Sequence, residues 1–89
     1  MEILKRKLSD IEISDFRISD WPIWTKEVSE FDWYYDAVED CFILDGIAEV
    51  VTAEGEIITF GKDDFMTFPQ GLSCHWKILR PIKKHYRFR

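Results

Sequence analysis

Short apolar segments separated by turn residues recur along the whole chain, and no window of about eleven residues has the apolar spacing of an amphipathic helix. Closely spaced strand and turn signals are typical of a β-sandwich or barrel. A length of 89 residues corresponds to one domain, and 46% hydrophobic residues with four Trp and seven Phe suit a compact core. We therefore predict a single all-β domain over residues 1–89.

The turn residues divide the chain into predicted strands at 41–44, 47–52, 57–60, 65–68, 73–79 and 82–88. Gly46 is predicted to end the first of these strands, and Pro81 to separate the last two. The segment 53–56 is predicted to form a hairpin turn in which Gly55 takes a positive φ. Residues 61–64 form another predicted turn. Near the front, 10–18 is predicted as an edge strand and 19–22 as a turn or short helical start.

The net charge of −5 disfavours nucleic acid as a partner. No apolar run approaches the roughly 20 residues of a membrane span, and no signal peptide is evident, so we expect a cytoplasmic protein with reduced cysteines. All 17 acidic residues lie before residue 65, whereas residues 65–89 carry six Lys or Arg and no acid. This distribution predicts that the last strand pairs with acidic strands across the sheet.

Two motifs define a resemblance to a known family. Glu39 and Gly46 have six residues between them, and Asp64 is followed by Pro69 and, after one further residue, by Gly71. This pair of segments resembles the two cupin motifs, although Asp63 stands where a glycine is usual. The segment 71–76 resembles small cupins grouped with the ureidoglycine aminohydrolase cupin domain. The resemblance implies an RmlC-like jelly-roll barrel, a double-stranded β-helix, with a ligand pocket inside.

The metal ligands of cupins are largely replaced in this chain. Metal-binding cupins hold a divalent ion with histidines of both motifs and the glutamate. Here Trp33, Tyr35 and Cys74 stand at the histidine positions, and only Glu39 remains. One carboxylate and one thiol match an iron or manganese site poorly, so we expect no metal and no cofactor. A metal-dependent hydrolase, aminohydrolase or dioxygenase that uses Glu39 and Cys74 is the alternative.

Strand alternation predicts which side chains face the pocket. On the last strand Lys84, Tyr86 and Phe88 share one face, and Lys83, His85, Arg87 and Arg89 are predicted to form a solvent face. Glu39 and Lys84 are the candidate catalytic residues, Glu39 as an acid or base and Lys84 to neutralise a carboxylate. The predicted ligand-binding residues are Trp33, Tyr35, Cys41, Cys74, Trp76 and Tyr86. The competing interpretation is that the aromatic residues and cysteines only fill the core.

Glu39 carries most of the functional hypothesis. An inward carboxylate is costly unless it is paired or serves a purpose. It either pairs with Lys84 or Tyr35, or stands as a functional acid in an apolar pocket, and we favour the second interpretation. The predicted function is a metal-free, small-molecule-binding cupin. A non-enzymatic sugar- or metabolite-binding module is a further alternative. For the oligomeric state we predict a homodimer paired through edge strands.

Overall fold

Two long antiparallel strands, β4 (Glu39–Thr52) and β7 (Ser73–Phe88), run side by side through the computed structural model, which describes residues 1–89. Five shorter strands and one short helix surround them. These elements are β1 (Leu4–Lys7), α1 (Asp10–Asp15), β2 (Ile23–Lys26), β3 (Ser29–Tyr34), β5 (Ile57–Gly61) and β6 (Asp64–Phe68). No helix is long and apolar enough to cross a lipid bilayer.

Each long strand has different partners in its two halves. The first half of β4 pairs with β6 and its second half with β5, while β7 pairs first with β3 and then with β2. β1 extends the sheet from the outer edge of β6. All of these pairings are antiparallel, and the largest cluster of buried apolar side chains draws on both halves of β4 and β7. The all-β fold predicted from the sequence is confirmed.

The two long strands are irregular at one place, where Gly46 faces Pro81. The register between them shifts between Ile43 and Ala48. Gly46 has a φ of +98°, and a Cβ atom there would clash with the carbonyl oxygen of Pro81 and lie 2.9 Å from the Cα of Ile82. Only glycine combines this backbone angle with so close an approach of two main chains.

Two predicted strand breaks are therefore wrong. Gly46 does not end a strand, because 41–44 and 47–52 are parts of the continuous β4. Pro81 does not separate 73–79 from 82–88, since β7 runs through it. At the bulge Asp45 faces Lys83 and Ile47 faces Arg80, so Pro81 has no ladder partner and needs no backbone N–H there.

The predicted edge strand at 10–18 is also wrong, because the helix α1 occupies this segment. Ser9 caps the helix: its Oγ accepts from the Glu12 N–H at 3.2 Å, and the Glu12 carboxylate accepts from the Ser9 N–H at 3.1 Å. This reciprocal capping box stabilises a helix start. The helix is only six residues long, so it is too short to show helical periodicity in a longer window.

The outer face of β7 is partly covered, which corrects the predicted solvent face. His85 and Arg87 are half-buried, whereas Lys83 and Arg89 are exposed. The Arg87 guanidinium lies 4.5 Å from the ring centre of Trp21. A second apolar cluster centred on Ile18, Phe42 and Phe65 packs the segment after β1 against this face.

The predicted pairing of acidic and basic strands is confirmed at Asp40 of β4. Its buried carboxylate accepts from Arg87 Nε at 3.0 Å, from Arg89 Nε at 2.8 Å and from Thr67 Oγ1 at 2.8 Å. Burial disfavours the charged form, but the hydrogen bonds from Arg89, Thr67 and Arg87 outweigh it and lower the pKa of Asp40. The basic end of β7 thus anchors to the acidic start of β4.

We predict that Gly46→Ala lowers the free energy of unfolding by about 3 kcal/mol or more, because strained φ and overpacking against Pro81 add up. Gly55→Ala is the matched control. Gly55 also has a positive φ, of +86°, but a Cβ there meets nothing within 4 Å. Gly55→Ala should lower the free energy of unfolding by only about 1–2 kcal/mol. Urea denaturation of both variants measures the difference, and equal costs would contradict the tight contact.

Candidate functional site

An open cavity of about 210 Å³ lies among aromatic side chains at one end of the core. Each molecule in liquid water takes up roughly 30 Å³, so the cavity volume corresponds to about seven water molecules. Strands β2, β3, β4 and β7 all contribute to its wall. The lining residues are Trp24, Phe31, Trp33, Tyr35, Glu39, Trp76, Lys84, Tyr86 and Phe88.

Glu39 and Lys84 form a buried ion pair in this wall. Lys84 Nζ donates to Glu39 Oε2 at 2.9 Å, and the two side chains are 6% and 4% exposed. The same ammonium group lies 4.7 Å from the ring centre of Trp24 and 4.8 Å from that of Trp76. Pairing and cation–π contacts together offset the cost of removing Lys84 from water. The structure thus contains the ion pair with Lys84, and not the unpaired acid that we favoured from the sequence.

Tyr35 is fixed beside the pair by its backbone and its ring. Its N–H donates to the Leu72 carbonyl at 2.9 Å, its carbonyl accepts from the Gly71 N–H at 2.6 Å, and its ring stacks on Phe68 with centroids 5.0 Å apart. Burial, with the charge of Glu39 nearby, raises the pKa of the Tyr35 hydroxyl far above its ordinary value. The hydroxyl therefore keeps its proton and can donate a hydrogen bond.

Trp76 joins the cavity to the core. Its ring stacks on Phe31 with centroids 6.0 Å apart and meets Phe60 edge-on at 5.4 Å. The residue is 2% exposed, yet its indole Nε1–H has no hydrogen-bond partner in the protein. A buried donor without an acceptor is uncommon in native structures. The indole nitrogen is itself inaccessible, and the polar groups beside it are the Tyr35 hydroxyl and the Cys74 thiol.

The two cysteines do not line the cavity. Cys41 is fully buried in the core, and Cys74 lines a separate depression together with Trp33 and Tyr34. Burial raises the pKa of the Cys41 thiol to about 12 and that of Cys74 to about 11. Both groups therefore stay protonated near neutral pH and are poor nucleophiles. Both are free thiols.

The structure brings together six of the eight site residues named from the sequence and leaves out Cys41 and Cys74. Trp24, Phe31 and Phe88 complete the wall and were not among those eight. Trp24 and Phe31 lie on β2 and β3, which the strand prediction did not include. The alternation of Phe31, Trp33 and Tyr35 along the sequence was the available signal.

The family follows from the comparison with known proteins. A family model that describes the EutQ-like cupin domain matches residues 14–86. The chain belongs to this family. The cupin fold expected from the two motifs is thereby confirmed, whereas the narrower likeness to the ureidoglycine aminohydrolase cupin domain stays a prediction.

Solved structures agree with this assignment. A DUF861 family protein from Thermotoga maritima is 46% identical, with a TM-score of 0.98, and the match covers 99% of this cupin domain and 100% of that chain. An ethanolamine utilization protein Q (EutQ) from Salmonella typhimurium is 23% identical, with a TM-score of 0.68 over 74% of this chain and 53% of that one. The EutQ protein of Clostridium difficile is 15% identical, with a TM-score of 0.69 over 97% and 66%. The two EutQ proteins show the fold alone. No curated protein matches the sequence.

The residues at the cupin metal positions do not fit a divalent ion. Glu39 is already paired with Lys84. Trp33 and Tyr35 offer no carboxylate, imidazole or thiolate, which leaves the Cys74 thiol as the one remaining candidate ligand among the former histidine positions. Nowhere in the chain could a group of three or more His, Cys, Asp or Glu side chains hold a metal ion.

We predict that Glu39→Gln lowers the free energy of unfolding by about 3–5 kcal/mol, because it leaves the buried Lys84 ammonium unpaired. Lys84→Met should lower the free energy of unfolding by a similar amount, because it leaves the buried Glu39 carboxylate unpaired. The double variant should lose less than the sum, since no unpaired charge remains. Lys83→Met, on the exposed face of the same strand, is the control and should change little. Chemical denaturation of the wild type and the four variants gives the double-mutant cycle and its control. An unchanged free energy of unfolding for Glu39→Gln would refute the stabilising ion pair.

We also predict that the purified protein carries no stoichiometric Fe, Mn, Ni or Zn, because one paired carboxylate is a poor ligand set. Plasma mass spectrometry of the protein, before and after dialysis against added MnCl₂, measures the content. One tightly held ion per chain would show that the residues at the cupin metal positions suffice after all.

Proposed function

We propose that this cupin domain binds a small, flat organic molecule in its aromatic cavity without a metal ion. The observation that carries the proposal is the combination of open space, aromatic walls and a single ion pair in that wall. A few polar groups placed among apolar walls are the usual makeup of a small-molecule site.

Two features argue against the cavity being an unused gap in the core. The cost of a cavity rises with its volume, and a domain of 89 residues has little stability to spare. In addition, Trp33 and Phe88 line the cavity while remaining 48% and 50% exposed. Large aromatic side chains that border an open apolar space can be covered further by a ligand, which would add hydrophobic stabilisation.

Glu39 and Lys84 are also the candidate catalytic residues of this proposal. Lys84 is the one side chain of the protein that donates to Glu39, and it occupies Oε2 only. Oε1 is left to accept a hydrogen bond or a proton from a ligand, as a general base must. A binding module without catalysis would use the same contacts as an enzyme. Both would bind the ligand, and an assay for turnover distinguishes between them. The metal-dependent alternative has less support, because Glu39 and Cys74 alone would be a poor set of metal ligands.

The other expectations from the sequence remain part of the proposal. Cytoplasmic location agrees with two free, buried thiols. A homodimer would cover exposed apolar residues such as Ile23 and Ile57, which lie on short strands at the sides of the sheet. Both stay predictions.

We predict that toluene or benzamide changes the tryptophan emission in a saturable manner, because three of the four Trp residues line the cavity. A hundredfold excess over Kd should stabilise the fold by about 2.7 kcal/mol and raise Tm. Trp24→Phe should reduce the change in emission. Trp21→Phe is the matched control, since Trp21 packs in the other apolar cluster and should leave the change unaffected. Absence of a saturable change with both probes, or equal effects of both variants, would count against the cavity as a binding site.

A further inference from the structure

The cavity presents hydrogen-bonding groups that the protein itself leaves unused. Glu39 Oε1 accepts no hydrogen bond from the protein, since Lys84 donates to Oε2. The Glu39 side chain is only 4% exposed in the cavity wall, so a ligand that donates to Oε1 replaces hydration that folding largely removed.

Tyr35 adds a donor to this acceptor. The hydroxyl keeps its proton because burial and the neighbouring Glu39 charge raise its pKa. The indole N–H of Trp76 lies beside the hydroxyl oxygen, which leaves the hydroxyl proton available to a ligand. The wall therefore carries one donor, the Tyr35 O–H, and one acceptor, Glu39 Oε1.

The charge of the site restricts the ligand further. Glu39 and Lys84 neutralise each other at 2.9 Å, and both are buried. An anionic ligand would meet Glu39, and a cationic ligand would meet Lys84, which already occupies the space between Trp24 and Trp76. In either case one charge stays uncompensated in a poorly hydrated site, which is costly. The site therefore favours a ligand without net charge.

Resting on the proposed function, we propose that the ligand class is a neutral planar amide or lactam. The carbonyl oxygen accepts from the Tyr35 O–H, the amide N–H donates to Glu39 Oε1, and the flat group lies between the aromatic walls. The cavity, with a volume of about 210 Å³, has room for roughly one ring and its amide group.

Three isosteric probes test the class. Benzamide, benzoate and benzamidine share shape and size but are neutral, anionic and cationic at neutral pH, and toluene is the apolar reference. Calorimetric titration of the full chain gives the four dissociation constants. We expect benzamide to bind at least about tenfold more tightly than each of the other three probes. It alone can pair with both the Tyr35 O–H and Glu39 Oε1 without adding a charge.

A conservative variant tests the contact. Tyr35→Phe keeps the backbone bonds and the stack on Phe68, and should weaken benzamide binding by roughly threefold to tenfold while leaving toluene unchanged. Tyr34→Phe is the matched control, because Tyr34 is 60% exposed and does not line the cavity. It should leave both affinities unchanged.

The outcomes separate this inference from the proposed function. If none of the four probes binds, the cavity is not a binding site and both proposals fall. If probes bind but benzoate, benzamidine or toluene equals benzamide, only the amide class is overturned. Benzamide affinity that is equal in wild type and Tyr35→Phe would likewise overturn it.

Discussion

The close contact of Gly46 with Pro81 is the constraint on which the rest of the structure depends. It lets β4 and β7 change partners along their length, so that one pair of strands serves both halves of the fold. Trp76 comes from the first half of β7 and Lys84 from the second, on either side of this contact, and both reach the same cavity. The site is thus a product of the irregularity in the two longest strands.

Burial of charge is the second organising feature. Glu39 and Asp40 are neighbours on β4 that point to opposite faces, and each finds its cationic partner on β7. The pair inside is shielded by indole rings, whereas Arg87 and Arg89 remain partly in water. The interior pair is therefore the costlier one to form and the more sensitive to the loss of one partner.

Strands β5 and β6 and both halves of β4 and β7 could be predicted because turn residues flank these segments, but β1, β2 and β3 were missed. The hairpin at 53–56 has the expected positive φ at Gly55. Asp63, which replaces the usual motif glycine, keeps a φ of +72° that aspartate tolerates. The helix α1 escaped prediction because its signal is a local cap and not a periodicity. Alternation placed Glu39 and Lys84 on inward faces, but only the register of two distant segments decides that they touch.

Trp76 belongs both to the core and to the cavity wall. A substitution there would disturb the packing of the core and the shape of the cavity at the same time. Trp33 and Phe88 stand at the rim with about half their surface in solvent. Substitutions at these two positions would reshape the mouth of the cavity at little cost to folding, so the rim is the part of the candidate site that can vary most freely.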